Sequence, residues 1–263
     1  MLVISLSFLF SYNKFHQAAF MRVANETTGW IDLRYDRLES YLQLKEKNEA
    51  LMRQNAFLLN QLPSNFISVD TLTGILPDTL FHDSTSGHRK YVWREAKVVS
   101  NTVGLPNNYF TIERGENQGI RKDMGVMSSK GIAGTVVNTS PNFAVVMSVL
   151  HRQFRVSARI KKSGDLGIVQ WDGKDPQHVL MSNVPKSVSV AKGDSVVTSP
   201  YSYLFPGGLM VGVVQEVIND PASNFNTLRL RTATDFFKFE YAYVVENLSR
   251  DEQKNLEDST FKN

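Results

Sequence analysis

Ser199 ends a valine-rich run, with Asp194 five residues before it and His178 further upstream, and a serine, a histidine and a carboxylate are the parts of an acyl-transfer triad. The context argues against that use. The serine sits in Val-Thr-Ser-Pro-Tyr, not in the G-x-S-x-G elbow that exposes a nucleophile, and trios of these residue types arise by chance in most chains. Glu113 and Glu116 flank Gly115 in a turn, where lone carboxylates are ordinarily solvated rather than paired for acid–base work. The five histidines, His16, His82, His88, His151 and His178, show no H-E-x-x-H or other metal-ligand spacing. With no cysteine, disulfides, thiol catalysis and thiolate metal sites are excluded. The glycines match neither G-x-G-x-x-G nor a P-loop, so nothing cradles a phosphate. No catalytic residue, cofactor or metal site is therefore expected.

Charge gives little more. Lys and Arg number 29 against 26 Asp and Glu in 263 residues, a bias too mild and too dispersed to predict a nucleic-acid partner. One strand pattern, residues 154–162, sets Arg155, Arg159 and Lys161 on one face and Val156, Ala158 and Ile160 on the other. That is a solvated outer face, or else a stripe that steers an acidic partner. Near the C-terminus Phe236 precedes Phe237, Phe239, Tyr241 and Tyr243, and the last four share one face by the period of two, which predicts core first and a partner groove second.

The elements that would carry such surfaces follow from pattern. A motif occurs twice, as KDMGVMSSKGIAGTVV over 122–137 and KGDSVVTSPYSYLFPGGLMVGVV over 192–214, each a turn, a short valine strand ending in Ser or Thr, then glycines and more valines. This describes a duplicated β unit whose Gly125, Gly131, Gly134, Gly193, Gly208 and Gly212 permit positive φ or close backbone approach, as the bent strands of small barrels need. Short strands are predicted at 96–100, 109–113, 134–138, 144–149, 155–161, 211–217, 228–233 and 237–245, separated by Gly, Pro and Asn turns, within a body spanning 91–246. The segment 77–90 is polar and turn-rich and reads as a flexible connector, and the charged tail 247–263 as disordered.

Upstream, residues 1–10 are apolar apart from two serines, half the length that spans a hydrocarbon layer of roughly 30 Å. With Tyr12, Lys14, His16 and Arg22 as an exit zone, residues 1–20 predict a transmembrane helix whose first half is missing from this sequence; the alternative is an apolar helix packed on the body. Residues 21–76 predict a dimerisation helix. Leu44, Leu51 and Leu58 repeat at seven, with Tyr41, Asn48, Asn55 and Leu62 in the complementary positions, so that buried Asn48 and Asn55 would fix a parallel register. An ordinary amphipathic helix on the body is the competing reading.

The stretches FTIERGENQGIRKDMGVMSSKGIAGTVV (110–137) and GDSVVTSPYSYLFPGGLMVGVV (193–214) resemble the periplasmic region of the MreC family of rod shape-determining proteins, in a likeness that extends over about residues 10–246. The resemblance implies two six-stranded β-barrels after a membrane helix and a coiled coil, in a bitopic protein of the bacterial inner membrane with most of its chain in the periplasm. It implies a homodimer that assembles further into filaments, with no enzyme activity. Its partners would be MreB, MreD, RodA and the elongation-specific penicillin-binding transpeptidase. Carried over, Gly115, Gly119, Gly125, Gly131, Gly134, Gly208 and Gly212 shape barrels, and Thr198, Ser199, Phe205 and Pro206 belong to the Thr-Ser…Phe-Pro-x-Gly-Leu pattern. Pro200 stands where that pattern has glycine and removes a backbone donor. A periplasmic adaptor of an envelope transport complex is the second reading, though adaptors usually carry a helical hairpin inside a lipoyl-like domain; an envelope hydrolase is a weaker third.

Overall fold

The computed structural model describes residues 44–67, 88–219 and 221–261. They belong to two units, 1–53 and 54–263. Residues 44–60 form helix α1, a stretch free of Gly and Pro and rich in Leu, Lys, Glu, Ala and Gln, the strong helix formers. Pro63 ends it, starting a 3₁₀ turn over Pro63–Asn65, and β1 (Phe66–Ile67) then pairs with β2 (His88–Arg89). The dimerisation segment expected to reach 76 thus stops being helical at 60, and the connector's last residues are strand rather than loop. The expected membrane helix and Tyr41 lie outside the described residues, as do 77–87.

Twelve antiparallel strands make two closed six-stranded barrels. In chain order they are β3 (Tyr91–Asn101), β4 (Asn107–Ile112), β5 (Gly125–Met127), β6 (Ile132–Thr139), β7 (Ala144–His151), β8 (Val156–Ile160), β9 (Leu166–Gln170), β10 (His178–Pro185), β11 (Ser195–Thr198), β12 (Met210–Asn219), β13 (Phe225–Thr232) and β14 (Tyr241–Asn247). The first barrel runs β14-β3-β4-β7-β6-β5 and the second β10-β13-β12-β11-β8-β9. The second barrel is therefore contained between β7 and β14 of the first.

The rings obey one rule once the strands are read as two repeats, β3–β8 and β9–β14. Within each, the first five strands pair in the same pattern: β3-β4-β7-β6-β5 and β9-β10-β13-β12-β11. The sixth is exchanged. β14 lies between β5 and β3, and β8 lies between β11 and β9. Register proves the equivalence: Val244 stands opposite Val126 and Ala242 opposite Ala96, while Ile160 stands opposite Val196 and Ala158 opposite Gly167. All four of Ala158, Ile160, Ala242 and Val244 are buried.

The duplicated motif forms the hairpins β5–β6 and β11–β12, and each carries a bulge after the same residue, Val126 in one and Val196 in the other. The strand-ending hydroxyl closes each turn: Gly131 N donates to Ser128 Oγ (3.2 Å) and Leu209 N to Thr198 Oγ1 (2.9 Å). A Cβ at Gly134 would strike the Met147 carbonyl across the ladder, and one at Gly212 the Arg231 carbonyl, so both strands bend where only glycine fits. Inward-facing Ile112, Val126, Val136 and Val146 fill the first barrel; Ile160, Val169, Met181, Val196, Leu228 and Leu230 fill the second.

Between the barrels, Phe205 is fully buried against Gly125, where a Cβ would meet its ring and the Leu204 carbonyl. The Thr234 hydroxyl lies 2.8 Å from Ser128 Oγ and 2.9 Å from the Gly131 and Ile132 carbonyls. Both crossovers, 152–155 and 233–240, bury a phenylalanine, Phe154 and Phe236.

Two expectations need correction. The tail is helix α2 (Arg250–Phe261), not disordered. Asp251 and Glu252 in its first turn suit the helix dipole, Arg250 pairs with Asp123 at 2.8 Å, and Glu257 accepts the Tyr203 hydroxyl. The aromatic run is not one core face: Phe236, Phe239 and Tyr243 are buried, Phe237 is exposed and Tyr241 half-buried. Residues 236–238 are turn, which breaks the assumed alternation, and Ala242 and Val244 take the inward positions.

Phe205→Ala empties the contact between the barrels. It is expected to lower the free energy of unfolding by about 3–5 kcal/mol in urea titration.

Candidate functional site

The serine, aspartate and histidine that could have made a triad each bond elsewhere. Ser199 is buried and its Oγ accepts the Tyr201 N–H (3.1 Å). Asp194 accepts the Ala191 N–H (2.9 Å), and His178 Nδ1 meets Asp175 at 2.7 Å. Asp175 also takes Arg229 at 3.3 Å, and a backbone N–H from Gln177 and the His178 ring hold its carboxyl below the usual range. Glu116 accepts the Thr139 hydroxyl (2.8 Å). Among the described residues no group of His, Cys, Asp and Glu is placed to hold a metal.

What the fold does build is surface. At the end of α1, Asn60 acts as a strand. β4 pairs with β3 only from Val98 to Asn101, leaving the earlier part of β3 without that neighbour, and the Asn60 amide fills in: Oδ1 accepts Trp93 N–H and Nδ2 donates to Trp93 O, both at 2.8 Å. The indole Nε1 donates to Asn65 Oδ1 (3.1 Å), and Asn65 Nδ2 donates to the Leu59 carbonyl. Asn55 bonds the Tyr243 hydroxyl, whose pKa burial pushes up. A cleft of about 310 Å³ lined by Asn55, Leu58, Leu59, Leu62, Met127, Ser129 and Tyr243 lies where helix meets barrel.

Ala56 is buried, and with Asn60 four residues on it defines the attached face. Leu58 is 200° around the helix at 100° per residue, and it and Leu62 are exposed at 51% and 44%. Leu51 and Leu44, one and two heptads earlier, are likewise exposed, as is Asn48. The leucines of the predicted seam are thus exposed, while Asn55, assigned to the same seam, already has Tyr243 as a partner. A second surface lies on the second barrel, where exposed Leu166 and Ile168 on β9 face Arg159 and Ser157 of β8. Arg155, Arg159 and Lys161 point outward there and Val156, Ala158 and Ile160 inward. The Arg159 Nε is buried with no hydrogen-bond partner.

Residues 98–246, more than half the chain, match the family model described as "Rod shape-determining protein MreC, barrel core". The chain belongs to the MreC family. It is similar to the cell shape-determining MreC of Listeria monocytogenes, 26% identical over 226 residues that cover 85% of this chain and 73% of that protein. The MreC of Bacillus subtilis is 25% identical over 173 residues, covering 60% of each, and that of Haemophilus influenzae 22% identical over 61% of this chain and 48% of its own length. The chain thus spans only about half to three-fifths of those two relatives. Among solved structures, a Listeria monocytogenes MreC covers 81% of this chain and 93% of its own at TM-score 0.56 and 24% identity, and a Pseudomonas aeruginosa MreC 58% and 97% at 0.54 and 22%. The paired six-stranded barrels are the fold they share.

Within this MreC chain the motif residues shape backbone. Gly115 packs against the β6–β7 turn, Gly119 and Gly208 have φ of 76° and 97°, and Gly131 abuts the Met210 carbonyl. Thr198 Oγ1 donates to the Pro206 carbonyl (2.6 Å). Asn60, Asn65 and Trp93 escaped notice in the sequence; the one available signal was an asparagine in a last helical turn, where its side chain competes for backbone groups.

Asn60→Ala strands the Trp93 N–H and carbonyl. Unfolding free energy is expected to fall by about 1–3 kcal/mol, with faster proteolysis near residues 61–66. His151 offers a pH test. It is buried, its Nδ1 accepts Gln153 N–H (3.0 Å), and its Nε2 meets the Tyr109 hydroxyl (2.9 Å). Burial lowers its pKa, so the unfolded chain takes the proton first and stability drains away as pH falls below about 6.5. Melting temperature measured from neutral pH downward should decline less steeply for His151→Gln.

Proposed function

We propose that the chain is a non-enzymatic scaffold of cell-wall elongation: anchored in the inner membrane, dimerised through α1, and presenting its barrels in the periplasm to a peptidoglycan synthase. The observation that carries the reading is the heptad spacing of Leu44, Leu51 and Leu58, each exposed, in a helix whose last turn is hydrogen-bonded to the first barrel. An apolar stripe at heptad spacing calls for a partner, and a second copy supplies one of matching period. The leucines dominate that seam, with Asn48 setting register and Asn55 at its margin.

Relatives named for determining cell shape support the setting. The MreC of Helicobacter pylori has been solved in complex with its penicillin-binding protein PBP2; that is a fact about that protein. For this chain, a transpeptidase of that kind, together with RodA, MreD and MreB, is a proposed partner set. The Leu166–Ile168 face with its flanking arginines has the apolar centre and basic margin such an interface needs. Among the described residues no helix is long and apolar enough to cross a membrane; the proposed anchor is residues 1–20, on the strength of their apolar run MLVISLSFLF.

Leu51→Glu with Leu58→Glu places like charges in the seam. Sedimentation equilibrium of the full chain should give a dimer for the parent and a folded monomer for the variant. A parent that stays monomeric at tens of micromolar, or a variant that still dimerises, would refute the coiled-coil scaffold.

A further inference from the structure

Where the β13–β14 crossover passes the turns of both barrels, it leaves a groove of about 400 Å³, within the size range of small-ligand sites. Lys130 enters from the β5–β6 turn, Gln177 from the β9–β10 connection, Arg231 and Thr232 from the end of β13, and Asp235 and Phe237 from the crossover. Phe237 is 64% exposed although the adjacent Phe236 is fully buried. Its ring joins neither of the Phe236–Phe239 and Phe110–Phe239 contacts. Lys130 and Arg231 form none of the ion pairs among the described residues. The nearby Asp235 carboxylate is engaged instead with the Phe237 N–H at 3.1 Å.

An open aromatic face, two cations outside the ion pairs of the described residues and an exposed amide on one groove are the elements of a site for a ligand that is flat and apolar on one side, hydroxylated at its rim and negatively charged. An extended peptide is a poorer fit. The lining strands β12 and β13 are paired on both sides within a closed barrel, so no backbone edge is free for strand addition. We propose that the groove binds an acidic saccharide: a sugar ring stacks on Phe237, its carboxylate is held by Arg231 and Lys130, and its hydroxyls meet the Gln177 amide. Arg is suited to that role because its planar fork matches a carboxylate. This reading is independent of the scaffold proposal, since none of its residues lies in α1 or on the β8–β9 face.

Isothermal calorimetry on the full 263-residue chain in mild detergent tests it. The probes are a short oligogalacturonate, the same oligomer fully methyl-esterified, and an oligoglutamate peptide of equal charge. Saturable binding of the acid sugar is expected, lost on esterification and not matched by the peptide. Arg231→Gln and Phe237→Ala should each weaken it about tenfold, with melting temperature unchanged because both side chains are exposed. Lys130→Gln should weaken it and flatten its salt dependence. Failure of the acid sugar to saturate, equal binding of the ester or the peptide, or indifference to Phe237→Ala would each overturn the proposal.

Discussion

A six-stranded ring closes only when a strand lies between its two ends, and in the first barrel that strand is β14, which arrives after the entire second barrel has been traversed. The second barrel has the reciprocal need. Its gap between β9 and β11 is filled by β8, the strand that belongs by sequence order and register to the first repeat. Each repeat thus lends its last strand to the other, and neither ring can be completed on its own. The remaining features between the barrels serve this exchange. Both crossovers bury a phenylalanine, and the Thr234 hydroxyl ties the second crossover to the first hairpin. Gly125 yields the space that Phe205 occupies. The contacts are largely non-local, so the loop-closure entropy of joining β14 to β3 must be met before their stabilisation is gained.

The duplication was legible because glycine, hydroxyl and valine recur at matching positions in 122–137 and 192–214, and those residues mark the bulged hairpins on which each barrel turns. The exchange was not legible. β8 and β14 carry the same inward pattern, Ala158-x-Ile160 and Ala242-x-Val244, so nothing local says which ring each enters. The strands β9 and β10 were missed because Leu166-Gly-Ile-Val-Gln170 is short and holds a glycine, and His178–Pro185 mixes polar residues into its pattern. Helix α2 was missed for a different reason. Its sequence is charged with almost no apolar surface, and what orders it is a set of polar contacts, Arg250 with Asp123 and Glu257 with Tyr203, formed with residues far away in the chain.

The surfaces were half visible. Heptad spacing located the leucine stripe, because period alone places Leu44, Leu51 and Leu58 together. It did not show that Asn55 also bonds the Tyr243 hydroxyl within its own chain. The helix end lies against a barrel, and there Tyr243 takes the amide, a contact that heptad spacing cannot report. Trp93 gives the asparagine at position 60 its role: β3 extends beyond the reach of β4, and an amide side chain carries a separate donor and acceptor that meet the carbonyl and N–H of one residue.

Helix α1 meets the first barrel along one side of its last turns. The Ala56–Asn60 side is bound through backbone-like hydrogen bonds that fix rotation about the helix axis, since Asn60 must meet both the N–H and the carbonyl of one residue. A greasy contact alone would let the helix roll. With rotation fixed, Leu58 and Leu62 stay about half exposed while lining the cleft beside Met127 and Tyr243. A partner helix taken up by those leucines would run beside the first barrel, to which the exchanged strands hold the second. An assembly built that way transmits orientation from the zipper to the outer faces of both rings. That property requires no chemistry at Ser199 or His178.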